Sequence, residues 1–259
     1  PPLHSSRYGE LEQFRAIPAA GLSNERVMEL LTTMKVTLVQ PIGHLLHHSL
    51  FRFCSPPLRA HGPCQQQEEA TWQDGKVSGG VYTSKKDHID FMCRVYSMYY
   101  VTNALHPDVW PSVRKMEAEV IRMTATMLGG GPSVCGAMTT GGSESIIMAL
   151  KAYRDWARET RPHVDEPEII APTTAHAAFL KGCQMLRMKY VMVDVHPDTQ
   201  CVDLAAVRRA LNSNTVALVG SACTFPHGMV DDIRGLAAIA REHNLGLHVD
   251  SCLGGYILP

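Results

Sequence analysis

Five short stretches of this sequence carry residue types whose spacing could do chemistry. Thr139-Thr140-Gly141-Gly142-Ser143-Glu144-Ser145 joins an apolar run to an apparent helix start. Glycines let the backbone approach a ligand closely, and a helix's first turn offers free N–H groups and a positive dipole end. That combination suits a phosphate, with Ser143 and Ser145 adding hydroxyl donors. A plain capped helix start with flexible glycines is the simpler alternative, and no Gly-Lys-Ser/Thr follows, so it is not a Walker A loop. His248-Val249-Asp250 ends a strand-like run and leads into Ser251-Cys252-Leu253-Gly254-Gly255. A buried carboxylate there needs a partner, and a protonated ring nitrogen would supply one; a turn or capping aspartate is the plainer alternative. His176, in Thr174-Ala175-His176-Ala177-Ala178-Phe179, could stack its flat imidazole on an aromatic ring or be structural. Asn103 and His106, in Thr102-Asn103-Ala104-Leu105-His106-Pro107-Asp108, are polar groups before a proline break, and Phe225-Pro226-His227-Gly228 is similarly ambiguous.

The elements that must position these residues alternate from Pro107 onward. Pro111 opens a helical stretch with Val113, Met116, Val120, Met123 and Met127 on one face, and the glycines at 129–131 stop it. The apolar run 134–138 reads as a strand that leads to the glycine turn, and a second helix carries Ile146, Ile147, Leu150, Tyr153 and Trp156. Strands are expected over 168–171, 190–195, 215–219 and 246–250. Helices are expected over 175–187, from an Asp203 cap through Leu211, and over 231–243. An earlier helix starts at Ser23 or Asn24 and runs through Val27, Leu30 and Leu31. Strands alternating with helices imply βαβ units and a mainly parallel sheet, hence an α/β fold. Such sheets bind ligands at the carboxyl ends of their strands, where 140–145, 173–176, 223–228 and 250–255 fall.

Composition narrows the function classes. The 259 residues hold 24 Lys+Arg against 25 Asp+Glu, a net charge of -1, which gives no basic excess for nucleic acid. No run of about 18 apolar residues exists to span a bilayer. The eight cysteines form no C-x-x-C pair, so they read as free thiols in a reducing compartment. Residues 36–65 stand apart: they contain no Asp, Glu or Lys, yet hold four His, four Pro and two Cys. His44, His47, His48, His61, Cys54 and Cys64 match no standard zinc spacing, and no metal is expected. The segment reads as an unstructured insertion and, more specifically, as a translated intron. It starts with valine, whose codons begin GT; it ends with Gln65, one of whose codons ends AG; and thirty codons keep the frame.

Taken together, these stretches resemble the sphingosine-1-phosphate lyase family, within the fold-type-I pyridoxal-phosphate-dependent decarboxylase group. The resemblance runs from about Gln67 to Pro259. It rests on Asn103-Ala104-Leu105-His106-Pro107-Asp108, the helix 114–119, the 140–145 turn, Ala175-His176-Ala177-Ala178-Phe179, Phe225-Pro226-His227-Gly228 and His248-Val249-Asp250-Ser251-Cys252-Leu253-Gly254-Gly255. It implies a fold-type-I large domain with a mainly parallel sheet flanked by helices, and pyridoxal 5'-phosphate as cofactor. Gly142 and Ser143 would hold the cofactor phosphate, His176 would stack on its ring, and Asp250 would keep the ring nitrogen protonated. Asn103 and His106 would lie near the substrate's phosphate end. The implied reaction is retro-aldol cleavage of a phosphorylated long-chain base to a fatty aldehyde and phosphoethanolamine.

The resemblance also implies a homodimer at the cytosolic face of the endoplasmic reticulum membrane, although the chain itself reads as soluble and intracellular. One departure bears on activity. Family members attach the cofactor to a lysine beyond the His-Val-Asp strand, whereas no lysine here follows Lys189. The sequence therefore reads as a C-terminally truncated chain that is inactive as it stands, with an unpaired apolar edge around 253–258. Residues 1–102 would form an N-terminal segment, and 103–259 a partial cofactor-binding large domain. The alternatives are an amino-acid decarboxylase of the same group, against which Asn103, His106 and Phe225-Pro226-His227-Gly228 tell, and an inactive fragment lacking the cofactor lysine.

Overall fold

The computed structural model describes residues 21–39, 83 and 85–259. The His- and Cys-bearing positions 44–64 lie outside the described residues. Helix α1 (Asn24–Val39) runs four residues into the segment read as an insertion, and positions 40–65 lie outside the described residues. The chain divides into two compact units between Cys135 and Gly136.

The first unit contains α1, α2 (Lys86–Tyr99) and α3 (Pro111–Met127). Ser23 caps α1, accepting the Arg26 N–H at 3.2 Å. Helix α2 was not expected from the sequence, although Phe91, Val95 and Met98 sit at helical spacing and turn inward. Its last turn is tied to α1 by the Tyr99 hydroxyl, which donates to the Leu31 carbonyl at 3.1 Å. Helix α3 opens on Pro111, whose missing N–H costs nothing at a helix start. It closes in a Schellman motif. Gly129 takes φ +75°, the Gly129 N–H donates to Thr126, and the Gly130 N–H donates to Ala125 at 2.7 Å.

The second unit contains α4 (Gly142–Thr160), β1 (Glu168–Pro172), α5 (Ala177–Leu186), β2 (Lys189–Val193), α6 (Leu204–Ala210), β3 (Thr215–Ser221), α7 (Ile233–Glu242) and β4 (Gly246–Asp250). Its strands form one parallel sheet in the order β2-β1-β3-β4. Strand residues alternate between two cores. Ile169, Ala171 and Val219 pack with Ile146 and Leu150 of α4 and Phe179 and Cys183 of α5. Ile170 and Leu218 pack on the other face with Val207 of α6 and Leu236 and Ile239 of α7. Each buried Val, Leu, Ile or Phe side chain contributes about 1.5–3 kcal/mol, which is why central strands read as continuous apolar runs. Gly182 lets α5 lie close on α4: a Cβ there would meet Leu150 Cδ1 at 2.6 Å.

Two side chains stitch the loops to this frame. Asp203 caps α6, accepting the Ala205 N–H at 2.8 Å, as its sequence position suggests. The buried Asp231 accepts the Val202 N–H at 2.7 Å and the Ser221 N–H at 2.8 Å, joining the end of β3 to the loop before α6.

Two expectations differ. Residues 134–138 form no strand; Val134 and Met138 are exposed, and no described strand pairs with them to take up their backbone bonds. Residues 252–257 form consecutive turns rather than a strand edge, with the Ile257 and Leu258 N–H groups both donating to Gly254. The edges of the sheet are β2 and β4.

Candidate active site

At the carboxyl ends of the strands, a cleft of about 450 Å³ opens in the second unit. Gly142, Ser143, Ser145, His176, His248, Asp250 and Cys252 line it. Each arrives there for a local reason. Gly142 and Ser143 form the first turn of α4, whose N-cap, Gly141, provides no side-chain cap. The first-turn N–H groups are thus not taken up by a capping side chain. Glu144, the natural competitor, turns away: its Oε2 accepts the Thr140 hydroxyl at 2.6 Å and the Thr140 N–H at 2.7 Å. Those bonds, the hydroxyl's first, hold its pKa below the usual carboxylate value. Thr139 Oγ1 and Ser145 Oγ lie 2.6 Å apart and brace the turn. A Cβ on Gly141 or Gly142 would meet nothing, so the space above the helix start is open.

His176 is the N-cap of α5, one residue before the helix expected to include it. Its Nδ1 accepts the Ala178 N–H at 3.1 Å, which leaves the ring proton on Nε2. Asp250 ends β4 opposite Ser221, and its carbonyl accepts the Ala222 N–H at 2.8 Å. Its Oδ1 accepts the Cys252 N–H at 3.0 Å. His248 shares the Asp250 face of β4, two residues back. Burial lowers its pKa, against the opposing attraction of Asp250. No lysine or arginine is among the described lining residues. Positive potential at this end therefore comes from the N-terminus of α4, and negative charge from Asp250.

Gly142, Ser143, His176 and Asp250 are thus brought together. Asn103 and His106 belong to the first unit, in the turn before α3. Asn103 Oδ1 accepts the Leu105 N–H at 3.0 Å, and the His106 ring lies 6.5 Å from Trp110. Sequence reasoning assigned no role to His248, although its two-residue spacing from Asp250 was a usable signal. A second hollow of about 350 Å³, lined by Arg161, Asn212 and His243, lies at the strands' opposite end. It faces the C-caps of α4 and α7, the negative helix ends, and does not suit a phosphate.

The lining fits pyridoxal phosphate: an uncapped helix start for the phosphate, a flat imidazole for the ring, and a carboxylate at a strand end for the ring nitrogen. A parallel sheet carrying such a cleft at its carboxyl ends defines the large domain of a fold-type-I pyridoxal-phosphate enzyme. Residues 113–255 match the DegT/DnrJ/EryC1/StrS aminotransferase family, and the chain belongs to it. The chain is 46% identical over 192 residues to a sphingosine-1-phosphate lyase of Dictyostelium discoideum, covering 74% of this chain and 36% of that protein. It is 48% identical over 187 residues to the Drosophila melanogaster sphingosine-1-phosphate lyase, covering 72% and 34%. A solved Burkholderia pseudomallei sphingosine-1-phosphate lyase superposes with a TM-score of 0.71 at 34% identity, over 99% of this chain and 53% of that one. The chain thus spans about a third of the length of the curated relatives it matches.

Proposed function

We propose that the protein carrying this chain is a pyridoxal-phosphate-dependent carbon–carbon lyase. Its substrates are phosphorylated long-chain bases of the sphingosine-1-phosphate type, cleaved to a fatty aldehyde and phosphoethanolamine. The observation that carries this reading is the single cleft joining the α4 start, His176 and Asp250, in a chain similar to sphingosine-1-phosphate lyases. Pyridoxal phosphate, when bound, supplies the electron sink that takes up the pair left when the Cα–Cβ bond breaks.

The residues of this chain bind, orient and tune. The backbone of Gly142 and Ser143 holds the phosphate, and the dipole of α4 favours its charge. His176 lays its imidazole against the pyridine ring. Asp250 keeps a proton on the ring nitrogen, and its bond from Cys252 N–H holds it in place. Asn103 and His106 serve the substrate's phosphate end. Residues 103–259 act as part of the cofactor-binding large domain, preceded by an N-terminal segment over 1–102, in a homodimer at the cytosolic face of the endoplasmic reticulum. No lysine follows Lys189 in these 259 residues, so by themselves they supply no amine beyond β4 to hold the cofactor covalently. We expect them to release no aldehyde alone.

The test compares aldehyde release from a phosphorylated long-chain base by the full-length protein and its Asp250→Ala variant, at saturating cofactor. Severe loss in the variant is expected, and near-normal turnover would overturn the assignment of Asp250. Carbon dioxide released from an amino acid, without aldehyde, would instead mark a decarboxylase.

A further inference from the structure

We infer that Phe225 is a positioning residue, whose ring sets the plane in which His176 meets the cofactor. The inference rests on the proposed stacking role of His176.

Phe225 is 72% exposed, an apolar ring in water with no core to fill. Yet its loop is held firmly. Thr224 beneath it is fully buried and makes three bonds across the turn: its N–H donates to Met229 O at 2.7 Å, its carbonyl accepts the Gly228 N–H at 2.9 Å, and its Oγ1 accepts the Met229 N–H at 3.0 Å. Gly228 takes φ +67°, which lets the turn close. The loop thus presents Phe225 at a defined place. There the ring meets His176 edge-on, with centroids 6.3 Å apart and planes at 75°. That is the geometry in which aromatic pairs attract.

His176 is exposed and sits at a helix cap, where an imidazole would ordinarily turn about its side-chain bonds. Two contacts of different kinds restrain it. The Ala178 N–H holds Nδ1, and the Phe225 ring holds the orientation of the imidazole plane. A stacking group whose plane is set before the ligand arrives loses less freedom on binding.

The experiment is equilibrium binding of pyridoxamine 5'-phosphate to the full-length protein. This probe has no aldehyde, so binding is read apart from turnover and from any lysine. Phe225→Leu should weaken binding about 3- to 10-fold, the range expected for an aromatic pair. Phe225→Tyr keeps the ring and should bind like the wild type, which also controls for folding. His176→Ala should weaken binding, and Phe225→Leu combined with His176→Ala should bind no worse than His176→Ala alone. Wild-type binding by Phe225→Leu beside a weakened His176→Ala would overturn the inference and leave the stacking role standing. Penalties that multiply in the double variant would overturn it too, because Phe225 would then act independently. Wild-type binding by His176→Ala would remove the stacking role and the inference with it.

Discussion

The imidazole of His248 stands edge-on to Phe179, ring centroids 5.2 Å apart and planes at 76°. Phe179 is fully buried on α5, one turn past His176, so this contact sets the floor of the cleft against the helix that carries the His176 cap. Burial lowers the pKa of His248 below its ordinary 6.5. The unfolded chain then binds more protons than the folded one between the lowered value and 6.5. Stability from this residue is present above pH 6.5 and is lost as pH falls through that window. Urea midpoints at pH 7.5 and 5.5 should therefore drop more for wild type than for His248→Gln. Equal drops would show that His248 does not govern the acid side.

Asp231→Ala should destabilise more than the loss of one small side chain suggests. It leaves the buried N–H groups of Val202 and Ser221 without acceptors. At about 1–3 kcal/mol for each stranded donor, a loss of roughly 3 kcal/mol is expected. Chemical denaturation measures it, and a loss under about 1 kcal/mol would mean the loop before α6 readily finds other partners.

Gly182→Ala tests the close approach of α5 to α4. The added methyl would lie 2.6 Å from Leu150 Cδ1 and 3.3 Å from Ile147 Cγ1, so both side chains must shift. The general helix preference for alanine is worth about 1 kcal/mol in the opposite direction. Overpacking costs about 1–3 kcal/mol, so the net change should be a small destabilisation read in the melting temperature.

Thiol reactivity should separate the cysteines. Burial pushes the Cys183 thiol up to about 12, so it should stay unmodified by a thiolate-seeking reagent while the protein is folded. Among the described cysteines, exposed Cys93, Cys135 and Cys252 should label first. Mass spectrometry after brief iodoacetamide treatment reads the order, and early labelling of Cys183 would contradict its burial. Saturating cofactor should slow Cys252 in particular, because Cys252 lines the cleft.

The reading of 36–65 as a translated intron is decided by the transcript. A mature message lacking those thirty codons is expected, and a main form that retains them would end the idea.

Much of the local framework was legible because its signals are local. The caps at Ser23 and Asp203, the proline start of α3 and the glycine turn at 140–145 depend on neighbours a few residues away, so residue type alone announces them. The place of Asp250 was legible because the apolar run before it reads as a strand, and β4 ends at that residue; a strand's end is where parallel sheets bind ligands. The run 134–138 misled for the converse reason: apolar content is local, but a strand needs a partner.

Tertiary structure decided what depends on residues far apart in the chain. The strand order β2-β1-β3-β4 brings the α4 start, the His176 cap and Asp250 to one cleft, although they come from positions 142 to 250. The edge-on pairs of Phe179 with His248 and of His176 with Phe225 join side chains 69 and 49 positions apart. Asp231 shows the same division: its sequence suggests only a helix start, and its two bonds exist because the loop before α6 folds back over the end of β3. Residue type sets which bonds a side chain can make; only the packed chain settles which partner stands close enough to make them.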